Sequence, residues 1–286
     1  MSFEKTTRNH TLRAIGIAAA AIVALGIGVP TMALANSAPS TTPTANSAVK
    51  PTIVLVHGAW ADASSFAPIT KELQDNGYTV RNAPNQLRGL ASDAAYLAAY
   101  VNQSVTGPVV LVGHSYGGSV ITNAALSIPN VKALVYVDAY APAEGESVLD
   151  LTAAQPGSVL GVADPSTVFD FVQYPGAPTG DVDAYIKPAL FPKFFAARLP
   201  GVQARELASS QSPVTLSALS AKSGAPAWAS IKSFFFIGTD DKILPPAEQR
   251  AMAQRANGVV VEGTADHLSL LETPRVITDL IVRAAH

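Results

Sequence analysis

The segment Gly113-His114-Ser115-Tyr116-Gly117 limits what this chain can become more than any other. It follows the apolar run Val109-Val110-Leu111-Val112 and leads through Gly118 into a helix-like stretch. Strand, sharp turn and helix, with a serine at the turn, is the order of a nucleophile elbow. The flanking glycines are needed because the strand and helix backbones approach too closely for a Cβ. A serine exposed on such a turn is a candidate for acyl chemistry. The alternative is an ordinary glycine-rich turn with a solvated hydroxyl.

A serine hydroxyl is a weak nucleophile until a base takes its proton, and the base needs a third group to orient it. The chain has five histidines. His10 falls in the N-terminal leader and His286 is the last residue. His114 lies inside the elbow and is expected to point away from Ser115. His57 ends the first strand, too early for the chain order Ser, Asp, His. His267, in Thr264-Ala265-Asp266-His267 between the last strand and the last helix, remains as the base. For the acid, Asp240 and Asp241 both follow a strong apolar strand. Asp241 is favoured by the G-x-x-D-x-x-x-P spacing from Gly238 to Pro245. Asp240 can instead bond its own turn, and Asp138, at another strand end, is the outside candidate. A developing oxyanion needs donors. The N–H groups of Tyr116 and of Ala59, in the loop His57-Gly58-Ala59-Trp60, suit that role. Trp60 and His57 are candidates for the pocket wall.

The 286 residues are 48% hydrophobic and 14% charged, ample for a core. A net charge of −2 gives nucleic-acid binding no electrostatic support. With no cysteine and no H-E-x-x-H, neither a metal nor a cofactor is expected. Lys5, Arg8 and Arg13 precede the apolar run Ala14 to Val29, then Pro30 and Ala33-Leu34-Ala35. Residues 1–35 therefore read as a signal peptide cleaved after Ala35, with a retained anchor as the alternative. Export is the consequence, to a secreted or periplasmic location without stable membrane association after cleavage. Residues 36–50, rich in Ser, Thr, Pro and Ala, read as a disordered linker.

From residue 51 to 286 short apolar runs alternate with amphipathic stretches, the pattern of a doubly wound, mostly parallel α/β sheet. Strands are predicted at Thr52–His57, Thr79–Ala83, Val109–Gly113, Ala133–Asp138, Ser233–Gly238 and Val259–Glu262. Helices are predicted at Phe66–Asn76, Ser92–Ser104, Gly117–Ser127, Ala247–Ala256 and Pro274–Ala285. The alternation breaks at about 142–226, which reads as a mostly helical lid over the carboxyl ends of the strands. A helical extension covering a sheet edge is the alternative.

Ile53 to Trp60, the elbow Gly113–Gly118, Gly238–Pro245 and Asp266-His267 together resemble the α/β-hydrolase superfamily. The resemblance covers nearly all of 51–286. It is nearest to the compact group of plant methylesterases and hydroxynitrile lyases, and to uncharacterised bacterial hydrolases. It implies a serine hydrolase acting on a small-molecule carboxylic ester, with Ser115, His267 and Asp241 as its triad. The lyases carry a lysine after the catalytic histidine, where this chain has Leu268, so ester hydrolysis is favoured. Lyase-like or perhydrolase activity on the same residues is the enzymatic alternative, and a non-turnover ligand receptor the non-enzymatic one. The sequence carries no signal for oligomeric state.

Overall fold

The computed structural model describes residues 49–286. The expected signal peptide and nearly all of the expected linker lie outside the described residues. Six strands form the main sheet: β1 (Thr52–Val56), β2 (Val80–Ala83), β3 (Val109–His114), β4 (Val131–Val137), β8 (Ser233–Gly238) and β9 (Val259–Gly263). Their spatial order is β2-β1-β3-β4-β8-β9, and every neighbouring pair is parallel. Parallel neighbours need a crossover connection. The helices α1 (Ala67–Asp75), α2 (Leu90–Ser104), α3 (Tyr116–Ala124), α8 (Pro246–Arg255) and α10 (Pro274–Ala284) supply these and cover the sheet. All of the predicted strands and helices are present, with ends shifted by at most three residues.

Both faces of the sheet are buried, which explains why the strands are continuous apolar runs. Side chains alternate across the sheet. Val54, Val56, Leu111, Leu134 and Phe235 pack in one core with Leu97 of α2, Ile121 of α3 and Met252 of α8. Ile53, Leu55, Val110, Val135 and Phe234 face the other core with Leu73 of α1 and Ile277 and Ile281 of α10. In α10 the buried residues Ile277, Leu280, Ile281 and Ala284 fall on a single stripe at helical spacing. Burying each of the larger ones contributes about 1.5–3 kcal/mol.

Between β4 and β8 the chain leaves this pattern. The expected helices are there as α4 (Val148–Ala154), α5 (Phe191–Phe194), α6 (Gly201–Ser209) and α7 (Leu216–Ser220). Beside them stands a feature the sequence does not announce, a three-stranded antiparallel sheet of β5 (Phe169–Val172), β6 (Asp183–Ile186) and β7 (Val214–Thr215). A short helix α9 (Ser269–Glu272) precedes α10. The loops after β1, β3, β8 and β9 all emerge at the carboxyl edge of the main sheet, where parallel α/β sheets hold their ligands.

Candidate active site

Ser115 sits between β3 and α3 with φ 53° and ψ −125°. That is a sparsely populated conformation for a residue with a side chain, costing on the order of 1–3 kcal/mol. The surrounding packing imposes it. A Cβ on Gly117 would meet the Val56 carbonyl, and one on Gly113 would come within 2.6 Å of the Gly117 backbone. The elbow thus presses against β1 on one side and presents the Ser115 hydroxyl on the other.

His267 follows β9 and is fully buried. Its Nε2 lies 2.8 Å from the Ser115 Oγ, and its Nδ1 lies 2.8 Å from the Asp241 Oδ2. The neutral tautomer that satisfies both bonds donates from Nδ1 to Asp241 and accepts from the serine at Nε2. Burial pushes the His267 pKa down to about 3, against a small upward pull from Asp266. The imidazole is therefore neutral and free to accept a proton. Phe195 meets the ring edge-on at 5.1 Å between centroids and shields it from water.

Asp241 follows β8. Its Oδ1 accepts the N–H groups of Ile243 (2.8 Å) and Leu244 (3.0 Å), and its Oδ2 accepts from Gln249 Nε2 (2.9 Å) as well as from His267. Burial raises the affinity of this carboxyl for a proton, while the backbone amides and Gln249 oppose that rise. Four donors converge on two oxygens, so the carboxylate is the form that satisfies the site. Asp240, the neighbouring alternative, turns outward and pairs with Arg198 at 2.8 Å. Asp138 is also away from the imidazole's bonds. It is buried at the end of β4 and accepts the Gly238 N–H at 2.6 Å and the Ser269 hydroxyl, joining the loops that carry Asp241 and His267. Burial raises its pKa well above the usual carboxylate range, with the Asp241 charge adding to the rise.

Two further residues act on this arrangement. Gln249 of α8 holds Asp241 and the Leu244 carbonyl with one amide nitrogen. His114 is buried, and its Nε2 lies 2.8 Å from the His267 carbonyl oxygen. A lone glutamine on a helix offers no pattern in the sequence. Its only legible signal is that it is a polar residue on a helix beside the acid-bearing loop.

Ala59 and Tyr116 both line a cavity of about 220 Å³ that opens onto Ser115. Among the described residues no protein group accepts the Ala59 N–H, and the Tyr116 N–H is the first of α3, where helical N–H groups have no internal partner. Trp60 walls the same cavity. Its Nε1 donates to the Ala184 carbonyl at 2.9 Å and its ring stacks on Phe169 at 5.4 Å, fixing the loop after β1 to the insertion. His57 corrects the expectation that it lines the pocket. It is not among the cavity-lining residues. Its Nδ1 lies 2.9 Å from the Gly58 carbonyl, and burial lowers its pKa. Among the described residues no cluster of three His, Asp or Glu side chains is arranged to hold a metal ion.

The sequence profile of the Alpha/beta hydrolase family matches residues 53–280. A carbendazim hydrolyzing esterase from Nocardioides sp. is 35% identical over 111 residues. That match covers 34% of this chain and 46% of the relative, so it spans less than half of the relative's length. An extracellular α/β-hydrolase from a Paenibacillus species superimposes with a TM-score of 0.66 at 24% identity, over 82% of this chain and 98% of that one. A methylesterase from Arabidopsis superimposes with a TM-score of 0.66 at 16% identity, over 82% and 98%. At these identities the two structures establish a shared fold, that of the compact group to which the sequence is similar.

Proposed function

This chain belongs to the alpha/beta hydrolase family, and from that membership we propose that it is a serine hydrolase cleaving small to medium carboxylic esters. The observation that carries the reading is the continuous relay from Ser115 through His267 to Asp241, two bonds of 2.8 Å each, at the end of a cavity with two free N–H groups. The esterase from Nocardioides, a relative over part of its length, supports the same chemistry.

In this reading His267 Nε2 takes the Ser115 proton as Oγ attacks the ester carbonyl. The carbonyl oxygen becomes an oxyanion held by the N–H groups of Ala59 and Tyr116, and Asp241 stabilises the imidazolium. His267 then gives its proton to the departing alcohol, leaving an acyl group on Ser115. A water, deprotonated by the same nitrogen, releases the acid. The basic and apolar composition of residues 1–35 supports export, and N-terminal sequencing of the mature protein should begin at Asn36.

Ser115→Ala tests the central assignment. It should lower kcat for nitrophenyl acetate by at least about 10³-fold and leave Tm unchanged, and a fluorophosphonate should label the unsubstituted protein at Ser115. A variant that keeps its rate removes Ser115 from the chemistry.

A further inference from the structure

The cavity at Ser115 carries information about what enters it. Beyond the reacting centre its wall is hydrocarbon and aromatic, from residues such as Trp60, Val148, Leu160, Phe169, Leu216 and Leu219, and among the described residues no Asp, Glu, Lys, Arg or His lines it. Besides Ser115, three hydroxyl-bearing residues complete the wall, Tyr116, Tyr140 and Thr152, and their hydrogens are already committed. The Tyr116 hydroxyl donates to Asp93 Oδ2 at 2.8 Å. Thr152 Oγ1 donates its only hydrogen to the Val148 carbonyl at 2.8 Å. The 2.9 Å bond between Tyr140 and Thr152 must then use the tyrosine hydrogen. None of the three hydroxyls has a hydrogen left for a ligand. At about 220 Å³ the cavity is large enough for a small hydrocarbon or aryl group.

Resting on the ester-hydrolase reading, we infer that this site is specific for esters whose cavity-bound part is a small uncharged hydrocarbon or aryl group, and that it rejects anionic esters of the same shape. A carboxylate at that depth would leave water and find neither a cation nor a free donor. The hydrocarbon of equal length loses nothing on entry and gains contact with the wall. The absence of a cation is the selective element, as opposed to any steric block. The same cavity chemistry serves an acyl or an alcohol portion, so both arms are tested.

Binding to the Ser115→Ala protein, followed by isothermal titration calorimetry, measures this preference without depending on turnover. Methyl hexanoate and monomethyl adipate differ only in a terminal methyl or carboxylate and form the acyl arm. Hexyl acetate and its carboxylate-ended analogue form the alcohol arm. In at least one arm the uncharged ester should bind at least 30-fold more tightly. Leu149, which lines the cavity and is 45% exposed, provides the second variant. Adding Leu149→Arg places a cation at the cavity without burying it in a packed core, and should narrow that ratio at least fivefold. Equal binding within threefold in both arms, or a ratio that Leu149→Arg leaves unchanged, overturns the inference. Loss of turnover in the unsubstituted protein with the binding preference intact would instead overturn the hydrolase reading.

Discussion

Gly58→Ala is the sharpest perturbation of the proposed oxyanion site, because a methyl group is added where the loop after β1 passes closest to the elbow. The new Cβ would lie 2.6 Å from Ser115 Cβ, 2.9 Å from the His114 carbonyl oxygen and 3.2 Å from Ser115 Oγ. Carbon atoms in contact sit about 3.5–4.0 Å apart, so the overlap is roughly 1 Å. Neither neighbour can yield, since His114 ends β3 and Ser115 is held by the elbow. The loop must withdraw by about that distance and carry the Ala59 N–H with it. A donor useful at about 2.7–3.1 Å is then out of reach, a loss on the order of 3 kcal/mol. At 1.36 kcal/mol per decade this is about a 150-fold drop in kcat/KM. Because the lost interaction forms only in the transition state, kcat should fall in parallel while KM stays nearly constant. Overpacking should also cost about 1–3 kcal/mol, lowering Tm by roughly 2–12 °C. Steady-state kinetics on nitrophenyl acetate and a melting curve suffice. A Gly58→Ala protein within threefold of the original rate and with an unshifted Tm would refute the reasoning.

Asp241→Asn should reduce kcat by about 10³- to 10⁴-fold, whereas Asp240→Asn, which loses only an exposed ion pair, should stay within about twofold; a large loss for Asp240→Asn with Asp241→Asn near the original rate would reverse the choice of acid. Gln249→Leu leaves the buried Asp241 Oδ2 and the Leu244 carbonyl each short of a donor, so a melting curve should show a loss of about 1–3 kcal/mol, accompanied by a fall in kcat of roughly tenfold. The pH dependence follows from burial of His267, which lowers its pKa from the ordinary 6.5. In the proposed relay the neutral imidazole is the base, so activity should be held above the folded-state pKa and lost as pH falls through it. The acid limb of kcat/KM, measured from about pH 4 to about pH 8, should therefore lie below that of an ordinary histidine; a limb at or above 6.5 contradicts the burial argument.

Much of the site is legible because its parts are local. The elbow is a run of β3, a strained turn and the start of α3, all within a short stretch whose glycines are demanded by backbone contact. His267 is found by elimination and chain order. The choice between Asp240 and Asp241 has a weaker signal, because adjacent residues differ only in which way a loop turns them. One side chain enters the buried relay and the other reaches solvent and Arg198. His57 shows the opposite limit. A histidine at a strand end beside a candidate oxyanion loop looks like a pocket residue, yet its ring lies off the cavity beside the Gly58 carbonyl.

The α/β class, the position of the proposed nucleophile and the order of its proposed partners follow from the primary structure, because hydrophobic periodicity and turn chemistry act over a few residues. The small antiparallel sheet of the insertion, the support of Asp241 by Gln249, and the charge-free wall of the cavity arise only in three dimensions. The bond between Ser115 and His267 spans 152 residues of chain and that between Trp60 and Ala184 spans 124. Interactions over such separations depend on the packing of the whole sheet and insertion, which no local pattern encodes.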